Sequence, residues 1–466
     1  MTHAQRWGAL VLALALTAAA CGNSGDDGDD GAADTTEAPS DDETTDDTDA
    51  TDGADGDRDT FVPLQGVPGV TDEEIGYAVI GTRSSNPLGT CVLDCYLDGI
   101  EAYFAYRNSE GGIYGRDLVV SQELDDELGQ NQARALEVIS GDNAFGAFNG
   151  TFVATGFADL DEAGVPTYVW GINSEEMAGR EHIFGNNQAP CADCGGRTIP
   201  WAVQEAGASR VASLGYGADE SSAACVTGSA ASVERYADDI GGAEVVYTRD
   251  DLAFGLDTGI APEVTAMREA DVDFIAGCID LNGMQTLAQE LQRQGMDDVT
   301  LYHPNTYNQQ FVSENANLFE GDIVTVGFRP LEADPGNSDL GLFIEWMDET
   351  GAELSELAMV GWINADLAFQ GLLAAGPEFD RESVVAATNA MTDYDAGGLI
   401  NPIDWTRQHV IADLDDPSTN YEQECAALVR IVDGAFETIA PPEEPWLCWP
   451  NDSREWSEPT PTSFGE

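Results

Sequence analysis

The stretch from Glu74 to Glu123 constrains this chain more than any other. It opens on an apolar run, Ile75-Gly-Tyr-Ala-Val-Ile80, that reads as a buried strand. A loop rich in glycine, serine and proline follows from Gly81 to Thr90. Apolar residues at one-turn spacings, Ile100 and Phe104 among them, then predict a helix over Leu97–Arg107. Gly111-Gly-Ile-Tyr-Gly115 turns the chain into a second strand, Leu118–Gln122. Strand, helix and strand in about fifty residues make a βαβ unit, whose strands are parallel and whose crossover is right-handed.

The alternation continues. Helices are expected over Gln130–Ser140 and Thr155–Ala163, and strands over Ala144–Phe148, Val165–Trp170 and His182–Phe184. After Cys194-Gly-Gly196 the pattern restarts, with helices over Ile199–Ala206, Ala230–Asp239, Ala261–Glu269 and Met284–Gln294. Strands are expected between and after them, at Arg210–Leu214, Ala243–Tyr247, Val272–Cys278 and Val299–Tyr302. The last third offers a strand at Ile323–Val326, two or three helices between Leu340 and Met391, and a closing strand at Ala426–Val432. Two runs of βα units separated by a fresh start predict an α/β protein of two doubly wound, Rossmann-like domains.

The opening strand, the long helix, the Gly-Gly-Ile-x-Gly-Arg turn and the strand ending on Glu123, Asp125 and Asp126 carry a resemblance. They resemble the first lobe of the branched-chain amino-acid binding proteins, extracytoplasmic receptors of ABC importers. The resemblance extends from about Thr71 to Phe436 and rests on the order of elements. It implies a type I periplasmic-binding-protein fold, with two lobes joined by three hinge crossings near Asn186–Pro190, Arg329–Pro335 and Val410–Asp416. Lobe 1 would then take residues 61–188 with 333–412, and lobe 2 residues 189–332 with 413–450, leaving 451–466 as a flexible tail. The implied function is capture of a small molecule, an amino acid or a related amide, for an ABC permease.

The N-terminus agrees with export. Arg6, an apolar run from Trp7 to Leu16 and the small residues Ala18–Ala20 form a secretory signal too short to span a membrane. Cys21 directly after them resembles a lipobox, so residues 1–21 are read as a lipoprotein signal with Cys21 lipidated. Residues 22–60 carry sixteen acidic residues and no aromatic or long aliphatic side chain, the composition of a disordered tether. Membrane association would run through the lipid alone.

Net charge is −68, and all 18 basic residues are arginine. Such a surface excludes nucleic acid as a partner, because phosphate contacts need clustered cations. It suits a saline medium, where screening removes self-repulsion. Setting Cys21 aside leaves eight cysteines, which in an exported protein point to disulfides. Local spacing pairs Cys91 with Cys95, Cys191 with Cys194, Cys225 with Cys278 and Cys425 with Cys448, the most local of many connectivities. No metal or cofactor is expected.

In open α/β sheets, ligands bind beyond the carboxyl ends of the strands. That rule selects Ser84, Ser85, Thr151, Phe152, Gly171 and Asn173 from the first domain, and Tyr216, Asp280 and Asn305 from the second. The resemblance gives Thr151 the place of a hydroxyl that receives a ligand carboxylate. It puts Asn305 where an anionic partner for a ligand ammonium belongs, leaving Asp280 as the nearest carboxylate. Trp170 and Trp362 join Phe152 and Tyr216 as aromatic candidates for the pocket. His303, just past a strand, is in position to face the cleft. No G-x-S-x-G elbow or H-E-x-x-H occurs, and the Gly111–Gly115 turn precedes a strand rather than a helix, so an enzyme is not expected. A surface sensor of the same fold and a structural surface lipoprotein are the alternatives to an import receptor.

Overall fold

The computed structural model describes residues 58–188, 195–217, 220–256, 258–411, 423–451 and 453–465. The signal segment, nearly all of the tether, Cys21 and the Cys191–Cys194 pair lie outside the described residues.

The opening unit is β1 (Glu74–Gly81), α1 (Leu93–Ser109) and β2 (Asp117–Asp125). It continues through α2 (Asn131–Ser140), β3 (Gly146–Gly150), α3 (Phe157–Glu162), β4 (Thr167–Val169), α4 (Ser174–Met177) and β5 (Ile183–Gly185). These strands form one parallel sheet in the order β2-β1-β3-β4-β5. Every residue of β1 after Glu74 is buried, as expected of a central parallel strand covered on both faces.

The second run gives α5 (Thr198–Glu205), β6 (Arg210–Tyr216), α6 (Glu220–Tyr236), β7 (Glu244–Leu252), α7 (Ala261–Glu269) and β8 (Phe274–Cys278). It goes on with α8 (Leu281–Gln294), β9 (Thr300–His303), α9 (Gln309–Glu314), α10 (Ala316–Phe319) and β10 (Ile323–Val326). After three more helices, α11 (Leu340–Thr350), α12 (Glu356–Ala375) and α13 (Arg381–Thr388), come β11 (Gln423–Val432), β12 (Ala435–Thr438), β13 (Trp446–Pro450) and β14 (Thr460–Thr462). The second sheet runs β14-β13-β11-β10-β9-β8-β6-β7, with β12 beside β11. It is parallel from β7 to β10 and antiparallel from β10 to β14.

Two expectations change here. The end of the chain is not a free tail: β14 pairs with β13, and Trp449 donates its indole N–H to the Ser457 carbonyl at 2.9 Å. Helix α6 begins at Glu220, ten residues before the expected start at Ala230. Its first half, Glu-Ser-Ser-Ala-Ala-Cys-Val-Thr-Gly-Ser, carries almost no large apolar side chain and so gives no helical hydrophobic period.

Helices α11–α13 return to the first sheet. Arg381 at the start of α13 donates to the carbonyls of Phe145 and Ala144 beside β3, both at 2.8 Å. Helix α12 is apolar and long enough to cross a membrane, but it is the central helix of this lobe and is mostly buried against α1. The α1–α12 contact is backbone to backbone: a Cβ on Gly99 would fall on the Ala358 carbonyl, and one on Gly361 on the Tyr96 carbonyl. Around it, Trp362 stacks on Tyr106 with centroids 6.0 Å apart and meets Tyr103 edge-on at 5.0 Å. The chain thus passes from first sheet to second after β5, back after β10, and again to the second for β11. Those are the three crossings of the expected architecture.

Candidate ligand-binding site

At the carboxyl edge of the first sheet a buried carboxylate ties three strand ends together. Asp126, directly after β2, accepts from the Thr82 hydroxyl after β1 at 2.8 Å and from the Thr151 hydroxyl after β3 at 2.5 Å. It also takes the Leu128 N–H at 2.9 Å and has no exposed surface. Thr151 therefore faces the cleft with its proton committed to Asp126. Its oxygen also accepts the Val153 N–H at 3.3 Å. A hydroxyl whose proton is given to another carboxyl has none to offer a ligand carboxylate, the role expected of it.

The loop after β1 departs further from expectation. Ser84 turns back onto β2, its hydroxyl donating to Asp125 at 2.5 Å and its N–H at 3.1 Å, and Ser85 is exposed with φ 59. Both stand outside the cavity, because the acidic end of β2 captures the start of the loop. Leu88 and Thr90 enter the cavity instead. Cys91 and Cys95 are joined, fastening this loop to the first turn of α1.

On the facing edge, Cys225 of α6 is joined to Cys278 at the end of β8. The Ser222 hydroxyl accepts the Tyr216 N–H at 2.7 Å and donates to the Cys278 carbonyl at 2.5 Å. Asp280 caps α8 by accepting the Gly283 N–H at 3.0 Å and takes the Tyr216 hydroxyl on its other oxygen. Burial raises the Asp280 carboxyl above its usual range while these bonds pull it down. Both its oxygens are engaged, so it is no free counter-ion. Cys425 and Cys448 join β11 to β13.

Between the two edges lies one cavity of about 600 Å³. Lobe 1 contributes Thr151, Phe152, Trp170, Gly171, Ile172 and Asn173; lobe 2 contributes Tyr216, Phe254, Ile279, Asp280 and Asn305. Each lobe presents an aromatic pair, Phe152 with Trp170 at 5.6 Å and Tyr216 with Phe254 at 5.1 Å. Gly171 has φ 65, and its N–H donates to the Asn186 side chain at 3.1 Å. Asn173 caps α4 by accepting the Glu176 N–H at 2.8 Å. The lobes touch across the mouth, where Asn282 of α8 donates its side chain to the Pro87 carbonyl at 2.7 Å and its N–H to the Leu88 carbonyl at 3.2 Å.

Among the lining residues that were not expected, one carries a charge of its own into the cleft from lobe 1. Glu356 is the first residue of α12, beside the cap Ser355, and opens onto the cavity. Its carboxylate makes no hydrogen bond or ion pair with the described residues, and burial pushes it up to about 7. The only sequence signal for it is the Ser-Glu start of an apolar helix. Conversely, Trp362, two turns further along α12, is 1 % exposed in the α1–α12 layer and does not reach the cavity. A helix entering a lobe end-on shows the cleft its first turn only. His303 is also buried, its ring bonded to Asp322 at 3.0 Å beneath the second sheet's edge.

Two lobes closing on a cavity at the carboxyl ends of both sheets define a bilobal ligand-binding protein. A family model described as periplasmic binding protein matches residues 78–434, and the chain belongs to that family. No curated protein sequence matches it. Among solved structures, it is similar to a fatty acid ABC transporter substrate-binding protein from Thermomonospora curvata. That similarity has 16% identity and TM-score 0.62, covering 86% of this chain and 95% of the other. The leucine-binding protein of Thermotoga maritima gives 15% identity and TM-score 0.62 over 78% of this chain and 97% of that one. A solute-binding protein of R. palustris in complex with benzoate gives 16% and 0.62 over 80% and 97%. Likeness at these identities establishes the fold: the type I periplasmic-binding-protein architecture of the branched-chain amino-acid binding proteins.

Proposed function

We propose that this protein is the extracytoplasmic receptor of an ABC importer, anchored by a lipid on Cys21 and held off the membrane by the acidic tether. On this reading residues 61–188 with 333–412 move as one lobe and 189–332 with 413–450 as the other. A small polar solute of the amino-acid or amide class enters the open cleft. Contacts from both lobes then stabilise the closed form, which the permease recognises. The observation that carries the reading is the cavity of about 600 Å³ lined from both sheet edges, with Asn282 of one lobe bonded to Pro87 of the other beside it. The acidic, lysine-free surface supports work in a saline medium.

Protein purified from its own host tests this. Denaturation should release a near-stoichiometric small molecule detectable by mass spectrometry, and re-adding it to the emptied protein should raise the melting temperature. No released molecule and no thermal shift across amino acids, short amides, urea and small carboxylates would favour the structural-lipoprotein alternative.

A further inference from the structure

The cavity is longer than a small amino acid requires and has the wrong charge for a simple acid. It does not stop at the cleft. Ser221, Ala224, Cys225, Gly228, Ser229 and Ser232 of α6 all line it, at the three- and four-residue spacing of one helix face. From first to last they span about 16 Å at 1.5 Å per residue. The sheet side is Cys278, joined to Cys225 of α6, with Tyr302, Thr325 and Ala426, one residue from each of the neighbouring strands β8, β9, β10 and β11. Four strands cover about 14 Å. This stretch belongs to the same cavity of about 600 Å³ that cleft residues of both lobes line. Its volume lies in the range that accommodates drug-sized ligands.

Among the described residues no arginine, lysine or histidine lines the cavity, whereas three carboxylates do. Two are engaged: Asp280 by Tyr216 and Gly283, and Glu424 by Arg197 at 3.1 Å and by the N–H of Thr198, also at 3.1 Å. Glu356 alone is left without a hydrogen-bonding or ionic partner among the described residues. Thr151, the hydroxyl on the lobe 1 edge, is backed by the Asp126 charge. The two aromatic pairs add ring faces that attract cations.

We propose that the ligand is an elongated amine, its ammonium group paired with Glu356 and its body laid along the small face of α6 inside lobe 2. This rests on the solute-capture reading and names the class of solute. Glu356 acts as the specificity residue that separates amines from plain acids. The α6 face acts as the ruler that separates long ligands from short ones.

Calorimetry on the full-length protein, emptied of ligand, with 2-aminooctanoate, octanoate and leucine tests each part. The expected order is 2-aminooctanoate tightest, leucine about tenfold or more weaker for want of a body in lobe 2, and octanoate without measurable binding. Glu356→Gln should weaken 2-aminooctanoate about tenfold or more while leaving the melting temperature of the empty protein at neutral pH no lower, because the ammonium loses its counter-charge in a partly desolvated site. Ala224→Leu should weaken 2-aminooctanoate and leave leucine unchanged. Octanoate binding as tightly as 2-aminooctanoate, or Glu356→Gln without effect, overturns the amine assignment. Leucine binding as tightly as 2-aminooctanoate, or Ala224→Leu affecting both alike, overturns the elongated body. Any of these leaves solute capture standing; binding of none of the three overturns the proposal, and capture itself falls only if the host-purified protein also releases nothing.

Discussion

In lobe 1, α1 and α12 meet through glycine. Gly99 and Gly361 have no Cβ, and the helices come close enough that each glycine sits against a carbonyl of the other helix. In lobe 2, α6 presents Ala224, Gly228, Ser229 and Ser232 to the sheet, and there the small side chains leave a cavity. The difference lies in what stands opposite. A second helix with its own glycine can close the gap until backbones touch. Against the sheet α6 touches at β6, where a Cβ on Gly215 would fall 2.8 Å from the Ser222 carbonyl, and the Cys225–Cys278 bridge and the Ser222 bonds hold it there. Small residues therefore bring the two helices of lobe 1 into contact, and in lobe 2 they leave space where α6 runs on past its contact with β6.

Substitutions should break this comparison unequally. Gly99→Leu should be the most damaging, destabilising the fold by about 3 kcal/mol measured by denaturant unfolding, even though leucine is the better helix former. A loss under about 1 kcal/mol would mean the helices can separate without cost. Ala224→Leu, the same increase in bulk or less on α6, should change stability by about 1 kcal/mol or less, since its atoms enter existing space. A loss as large as at Gly99 would show that the α6 face is packed in solution.

The smallest effect concerns pH. Glu356 stands at about 7 against an ordinary 4.5. Below 4.5 it is protonated in the folded and unfolded chain alike and makes no difference to stability. As pH rises from 4.5 through 7 the unfolded chain gives up the proton first, so the folded state loses stability, and the loss is complete above 7. Tyr307, which interacts with it, is common to wild type and Glu356→Gln, so the difference between the two isolates this group. The empty variant should melt higher than wild type by on the order of 2 °C at pH 8 and equally at pH 4.5. A constant difference would remove Glu356 from the cavity's electrostatics.

The fold was legible because its signals are local and repeated. The apolar run at Ile75–Ile80 is a strand wherever it is put, and a helical stripe must follow it to cover the sheet. Most of the residues the strand-end rule picked also lie on the cavity wall: Thr151, Phe152, Gly171, Asn173, Tyr216, Asp280 and Asn305. It failed at Ser84 and Ser85, because nothing local says that Asp125 will fold that loop back. It missed Glu356, which belongs to a helix start rather than a strand end. Nor does it say that both oxygens of Asp280, the carboxylate nearest the place of an anionic partner, accept bonds within the protein.

By itself, then, the sequence determined two wound lobes and an acidic chain, and the most local of its many cysteine connectivities contains the three pairs joined among the described residues. Only the tertiary structure decided which polar groups remain free for a ligand. Hydrogen bonding is a competition among groups brought together from distant segments, and Asp126, Tyr216 and Arg197 had claimed their partners in the folded chain, leaving Glu356 over. The space beside α6 is likewise a tertiary fact: small residues specify what is absent from a helix face, and the elements opposite decide whether that absence is filled.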